Sequence, residues 1–269
     1  VYKRQDIHSY YGGPRDFPPP QAPPESLDWE TFVGPAPWRE YIPGVHQRKW
    51  RAFREFSNGQ TGDLCVHFFD VVRYHLGLRW PRQIFASGGI LMRSPDSSIN
   101  THDTQTAVFD FDDVQVVWNQ RNWGQNPDPE YPWGATLYGD KGTLKLSVRQ
   151  YDFIPKGNGN PEHGDFVDER DDYPEDVEHK PTELFASAAT RQHMRNFLAA
   201  RRERTKPVAD IEEGHISSAC CILANLSMEL GRGLAWDAES GCVVGDEEAN
   251  QRLAREYRGA WQHPTPANI

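Results

Sequence analysis

The side chains best suited to chemistry lie in one run, Gly59-Gln-Thr-Gly62-Asp63-Leu-Cys-Val-His67-Phe-Phe-Asp70, which continues to Tyr74. At 100° per helical residue, Asp63, His67, Asp70 and Tyr74 fall in a stripe about 60° wide, opposite a broad apolar face that includes Leu64, Phe68, Phe69 and Val72. A histidine titrates near neutrality and can take the proton of an alcohol as hydride leaves the carbon that bears it. Asp63 falls in the first turn, where the helix dipole favours its ionised form, and a carboxylate in this column could hold the imidazole. The same column also suits a solvated polar face or a buried histidine satisfied by its neighbours. A cation shared by Asp63 and His67 would lack the three or four ligands a metal site needs, so no metal ligand is assigned.

Other side chains could line such a site. Trp50 and Phe53 precede the helix and could stack on the face of a bound ligand, or simply pack the core. His215, early in an apolar helix, is a further substrate-binding candidate, with a core role as its alternative. On a strand, Trp118, Gln120 and Asn122 share one face and Asn119, Arg121 and Trp123 the other; either could meet substrate. His102 and Asp103 are placed as rim residues at a strand start, and Arg191, Arg195 and Arg202 as a solvated helical face.

These residues need elements to hold them. A helix runs from Asn58 or Thr61 to Leu76 and stops at Gly77. Strand-like segments follow at about 82–92, 104–111, 114–122, 133–138, 142–148 and 150–154, with turns at Asp112-Asp113 and Gly139–Gly142. Helices over about 183–202 and 210–231 close the series, the second capped by Asp210. Helix, run of strands, then helices is the order of an α+β fold with a mainly antiparallel sheet and helices on one face. Ahead of these, Ile7–Tyr11 reads as a strand, and residues 14–43 hold nine prolines, an ordered surface excursion with a short helix near Ser26–Glu30. The first five residues, Val1–Gln5, resemble a translated sequencing-library adapter and are set apart from the domain at 6–269.

Composition narrows the partners. The net charge of −10 argues against nucleic acid, and no apolar run reaches the roughly 20 residues of a membrane-spanning helix. Residues 161–180 carry nine acids against Arg170 and Lys180, so the segment 156–181 is expected to be a solvated acidic loop. Cys65, Cys220, Cys221 and Cys242 lack zinc spacing and read as free thiols, mostly buried.

Several stretches together resemble one family. Trp50-Arg-Ala-Phe53 with Asp63-x-x-x-His67-x-x-Asp70, Leu27-Asp-Trp-Glu30 with Gly34-Pro-Ala-Pro37, Tyr138-Gly-Asp-Lys-Gly-Thr-Leu144, Asn196-Phe-Leu198 with Pro207-Val-Ala-Asp210, and Leu234-Ala-Trp-Asp237 with Gly245–Asn250 are similar to the C-terminal domain of the Gfo/Idh/MocA (glucose-fructose oxidoreductase, inositol dehydrogenase, rhizopine catabolism) family. The resemblance covers nearly the whole chain after Gln5. It implies an α+β domain that binds a sugar or cyclitol and forms homo-oligomers through its open sheet face. It further implies His67 as the catalytic histidine, Asp63 as its orienting or substrate-binding partner, and NAD or NADP in the full-length parent. The family's G-x-G-x-x-G turn and Glu-Lys-Pro lysine have no counterpart here, and His179-Lys-Pro181 lies too late to serve. No cofactor-binding residue is therefore assigned, and this chain alone is expected to be inactive and to bind no cofactor tightly. Two other readings stay open: a redox-assisted glycoside hydrolase or lyase of the same family, and a non-catalytic sugar-binding or oligomerisation module. The compartment is open between the cytoplasm, which is favoured, and export by a twin-arginine signal such as some relatives carry.

Overall fold

In the computed structural model the described residues are 2–10, 17–92, 97–126, 128–178 and 183–265. Ten strands lie among the described residues: β1 Tyr2–Ser9, β2 Gln83–Gly89, β3 Thr104–Asp110, β4 Gln115–Arg121, β5 Trp133–Gly139, β6 Gly142–Leu146, β7 Gln150–Pro155, β8 Glu162–Asp165, β9 Leu234–Asp237 and β10 Cys242–Val243. They form one sheet in the order β10-β9-β2-β3-β4-β1-β5-β6-β7-β8. Every neighbouring pair is antiparallel except β1 and β4. The helices are α1 Trp29–Val33, α2 Val66–Leu76, α3 Glu175–Glu178, α4 Leu184–Glu203, α5 Ile211–Leu230 and α6 Glu247–Gln251. The expected α+β architecture is present, and no described helix is long and apolar enough to cross a membrane.

The inner face of the sheet is apolar in its middle rows. Ile7, Ile84, Ala107, Phe109, Val116, Trp118 and Ala135 meet Phe68, Phe69 and Val72 of α2 and Ile216, Cys220, Leu223 and Ala224 of α5. Each large side chain so buried contributes about 1.5–3 kcal/mol. All four cysteines are free, and burial pushes the thiols of Cys65 and Cys220 well above the ordinary range. The proline-rich segment makes a second core, in which Trp29, Val33, Tyr41, Ile42 and Val45 pack against Ala52, Phe53 and Ile99. Asp28 caps α1 by accepting from Thr31 N at 3.0 Å, and the helix stops at Gly34.

Helix α2 is held to α5 at its C-terminal end by Arg73, which is 2% exposed. Its guanidinium donates to Ser217 Oγ at 2.6 Å, Glu213 Oε2 at 2.8 Å, Glu213 O at 3.1 Å and Arg79 O at 3.2 Å. A buried guanidinium is tolerated only when its donors are matched in this way.

Three expectations change. The strand placed at Ile7–Tyr11 runs instead from Tyr2 to Ser9, between β4 and β5, and Tyr11 lies outside the described residues. The acidic segment is not simply a solvated loop, because it supplies the edge strand β8 and the short helix α3. Nor is Arg191 a solvated charge. It reaches Glu169 Oε2 at 2.7 Å and Asp176 Oδ2 at 2.7 Å, pinning that segment onto α4, while His179–Pro181 lies outside the described residues.

Two stability outcomes follow from these placements. Replacing Arg73 with Leu should cost about 3 kcal/mol by removing the donors that satisfy Ser217 Oγ and the Glu213 and Arg79 carbonyls and the cation nearest Asp70, seen as a lower urea midpoint at unchanged slope. Gln5 is fully buried between Val116 and Leu137, and neither polar atom of its amide has a partner. Gln5→Leu should therefore raise stability by about 1 kcal/mol or more; a lower midpoint would show that the amide is satisfied by water.

Candidate active site

The run that carries the candidate residues begins as a π-turn over Thr61–Cys65 and continues into α2. Such widened turns occur frequently at functional sites. The glycines that lead into it are there for space. Gly59 has φ +64° and faces the His102 ring, and a Cβ on Gly62 would come within 2.6 Å of Asn58 Cβ.

A buried chain of polar groups fixes this end of the helix to the sheet. Thr61 Oγ1 donates to Gln105 Oε1, and so accepts from His102 Nε2–H at 3.0 Å. Gln105 Nε2 donates to Asn225 Oδ1 at 3.0 Å, and Asn225 Nδ2 donates to Asn58 O at 2.8 Å. Thr61 and Gln105 are fully buried, so their mutual satisfaction is a condition of folding there. The π-turn is thus joined to both β3 and α5.

His67 projects outward from the first turn of α2 and is exposed. Its ring stands nearly perpendicular to the Trp133 indole, with centroids 5.5 Å apart. Trp133 is itself locked, because its Nε1–H donates to Leu64 O at 3.1 Å and its ring meets Phe68 edge-on at 5.0 Å. An exposed imidazole braced on one side by a fixed aromatic ring keeps its nitrogens available to an incoming hydroxyl.

Asp63 does not hold His67. Its Oδ2 accepts from Arg51 Nε at 2.7 Å, and the Arg51 guanidinium lies 4.3 Å from the centre of the Trp50 ring. Trp50 therefore joins the site through Arg51. Asp70 is drawn the other way, accepting from Ser217 Oγ at 2.6 Å with Arg73 Nη1 at 3.7 Å, which makes it a brace between α2 and α5.

Two candidates lie apart from His67. Phe53 is completely buried in the second core, with the Arg39 guanidinium 4.1 Å over its ring and Phe17 5.1 Å away, so it has no face to offer a sugar. His215 is exposed near the far end of α2, its ring 5.7 Å from Trp80, and is not brought together with His67. The rim residues are also buried. His102 is 8% exposed and Asp103 1%, the latter accepting from Leu91 N at 3.0 Å and Met92 N at 3.1 Å. Of the two faces of β4, Trp118 and Gln120 point into the core.

Sequence reasoning missed Arg51, Trp133 and the Thr61–Gln105–Asn225 chain. Arg51 sat inside the quoted Trp50–Phe53 motif and could have been marked as a counter-ion for Asp63. Trp133 gave no signal, since nothing local relates it to His67. Among the described residues no three His, Cys, Asp or Glu side chains converge to hold a metal.

Comparison with known proteins bears on this geometry. The model of the oxidoreductase family, C-terminal alpha/beta domain (Gfo/Idh/MocA), matches residues 29–235. Among solved structures, the aldose-aldose oxidoreductase from Caulobacter crescentus complexed with glycerol aligns with a TM-score of 0.55 at 11% identity, over 87% of this chain and 56% of that one. An oxidoreductase domain protein from Kribbella flavida gives 0.52 at 11%, over 86% and 57%. The WlbA dehydrogenase from Bordetella pertussis, in complex with NADH and UDP-GlcNAcA, gives 0.50 at 16%, over 88% and 57%. The chain thus spans little more than half the length of these proteins. A search of curated proteins found no match. The chain belongs to the Gfo/Idh/MocA oxidoreductase family and carries its C-terminal α/β domain.

Proposed function

We propose that this domain binds a sugar or cyclitol and supplies His67 as the general base that takes the proton of the hydroxyl being oxidised. The observation that carries the reading is His67 itself, exposed, braced by Trp133, and mounted on a helix anchored at both ends by buried polar groups. Asp63 and Arg51, stacked on Trp50, form a polar wall one turn from His67 that suits a polyhydroxylated ligand. The UDP-GlcNAcA bound by the WlbA dehydrogenase favours that substrate class.

No G-x-G-x-x-G run in this sequence follows a strand and opens a helix, the turn that cradles a pyrophosphate. NAD or NADP, the oxidant in the parent enzyme, is thus assigned to no residue here. Homo-oligomerisation through the open sheet face belongs to the same proposal, with the outer side chains Phe85, Tyr138 and Ile154 exposed.

The test joins this chain to a relative's dinucleotide-binding domain and follows nicotinamide reduction with a panel of aldoses and inositols. His67→Asn should lower kcat by about 10²–10⁴-fold while sugar binding persists. Asp63→Asn should act mainly on KM, because the carboxylate faces Arg51 rather than the imidazole. Turnover unchanged in His67→Asn would remove the histidine from the chemistry.

A further inference from the structure

Helix α4 has twenty residues, yet only Ala188 and Ala200 are buried. On its open side Met194 is 54% exposed, Phe197 54% and Leu198 51%. Helical spacing places these three within an arc of about 100°, with Thr190 and Arg201 extending the same stripe at either end. Three large apolar side chains held together in water on a helix about 30 Å long are a surface awaiting a partner.

The charges beside this patch are arranged in two halves. Along the N-terminal half lies the acidic segment, fastened by Arg191 to Glu169 and Asp176 and by Arg195 Nη2 to the Tyr173 hydroxyl at 2.9 Å. The Tyr173 ring also sits 3.8 Å beneath the Arg191 guanidinium. Docked this way, the segment leaves Asp171, Asp172, Glu175 and Glu178 facing water. Along the C-terminal half stand Arg201, Arg202 and Arg204, all exposed. Acid at one end, base at the other and an apolar centre is a self-complementary pattern. A twofold axis beside Met194–Leu198 would run two α4 helices antiparallel, centre on centre, and set each acidic segment against the partner copy's arginines. The helical phase agrees, since Arg202 lies on the same flank of α4 as Arg191 and Arg195, which carry the acids.

We infer that the occupant of this face is a second copy of this chain, paired through α4 about a twofold axis. The interface is separate from the open sheet and does not depend on the assignment of His67. The polarity of charge along α4 is matched by a second copy turned end for end about a dyad. The pairing combines an apolar centre with a charged rim, the usual anatomy of a specific interface.

Sedimentation velocity on this chain tests it. Phe197→Glu and Leu198→Glu should each halve the assembly mass or raise the dimer Kd by about thirtyfold or more, with helical content unchanged in circular dichroism. Arg201→Glu should weaken association about tenfold at low ionic strength, and a shift to molar salt should weaken the wild type in the same direction. Met194→Cys, in a Cys242→Ser background, should cross-link two chains under mild oxidation. A wild-type chain that stays monomeric, a mass unaffected by either Glu substitution, or the absence of the cross-link would each overturn the inference. The Glu substitutions fall on solvent-facing positions, and Leu198→Lys provides a second probe of the patch with opposite charge.

Discussion

Almost everything at the candidate site rests on how one helix is fastened at its two ends. At the C-terminal end, the Arg73 guanidinium is withdrawn from water and satisfied by α5 side chains and by backbone carbonyls. At the N-terminal end, Thr61, Gln105 and Asn225 form a buried relay between the π-turn, β3 and α5. Between them Phe68, Phe69 and Val72 press onto the sheet. Apolar burial supplies the driving force, but it is tolerant of small slides. Buried polar groups are not, because each misplaced donor costs a lost partner. The combination leaves α2 one rotation and one translation, and His67 follows from it.

The sheet enters through its register. Gln105, Gln120, Ser9 and Trp133 occupy one row across four neighbouring strands, and the next row, Ala107, Trp118, Ile7 and Ala135, is apolar. That row lies beneath the π-turn. Trp133 faces His67 because β5 pairs antiparallel with β1, bringing Trp133 opposite Ser9. A slip of one residue would turn the indole to the other face. The environment of the histidine therefore depends on a strand far from it in sequence.

Much of this was legible beforehand. The α2 periodicity, the stop at Gly77, the Asp210 cap, the meander of strands and the free cysteines all express local rules, and these elements lie within a few residues of expectation. Less legible was anything requiring long-range pairing. β1 extends to Tyr2 because β4 and β5 offer it ladder partners on both sides, which no local propensity records. β8 forms among acidic residues because β7 presents an edge.

For the site, the sequence by itself determined which side chains share a helical face, because 3.6 residues per turn is a property of the backbone alone. It placed Asp63, His67 and Asp70 in one column and tied that column to a family's pattern. Only the tertiary structure decided what each member of the column does. Asp63 turns to Arg51, Asp70 turns to Ser217, Phe53 disappears into a second core, and His67 remains open beside Trp133. A carboxylate takes the strongest donor within reach, and reach is set by the packing of elements remote in the chain.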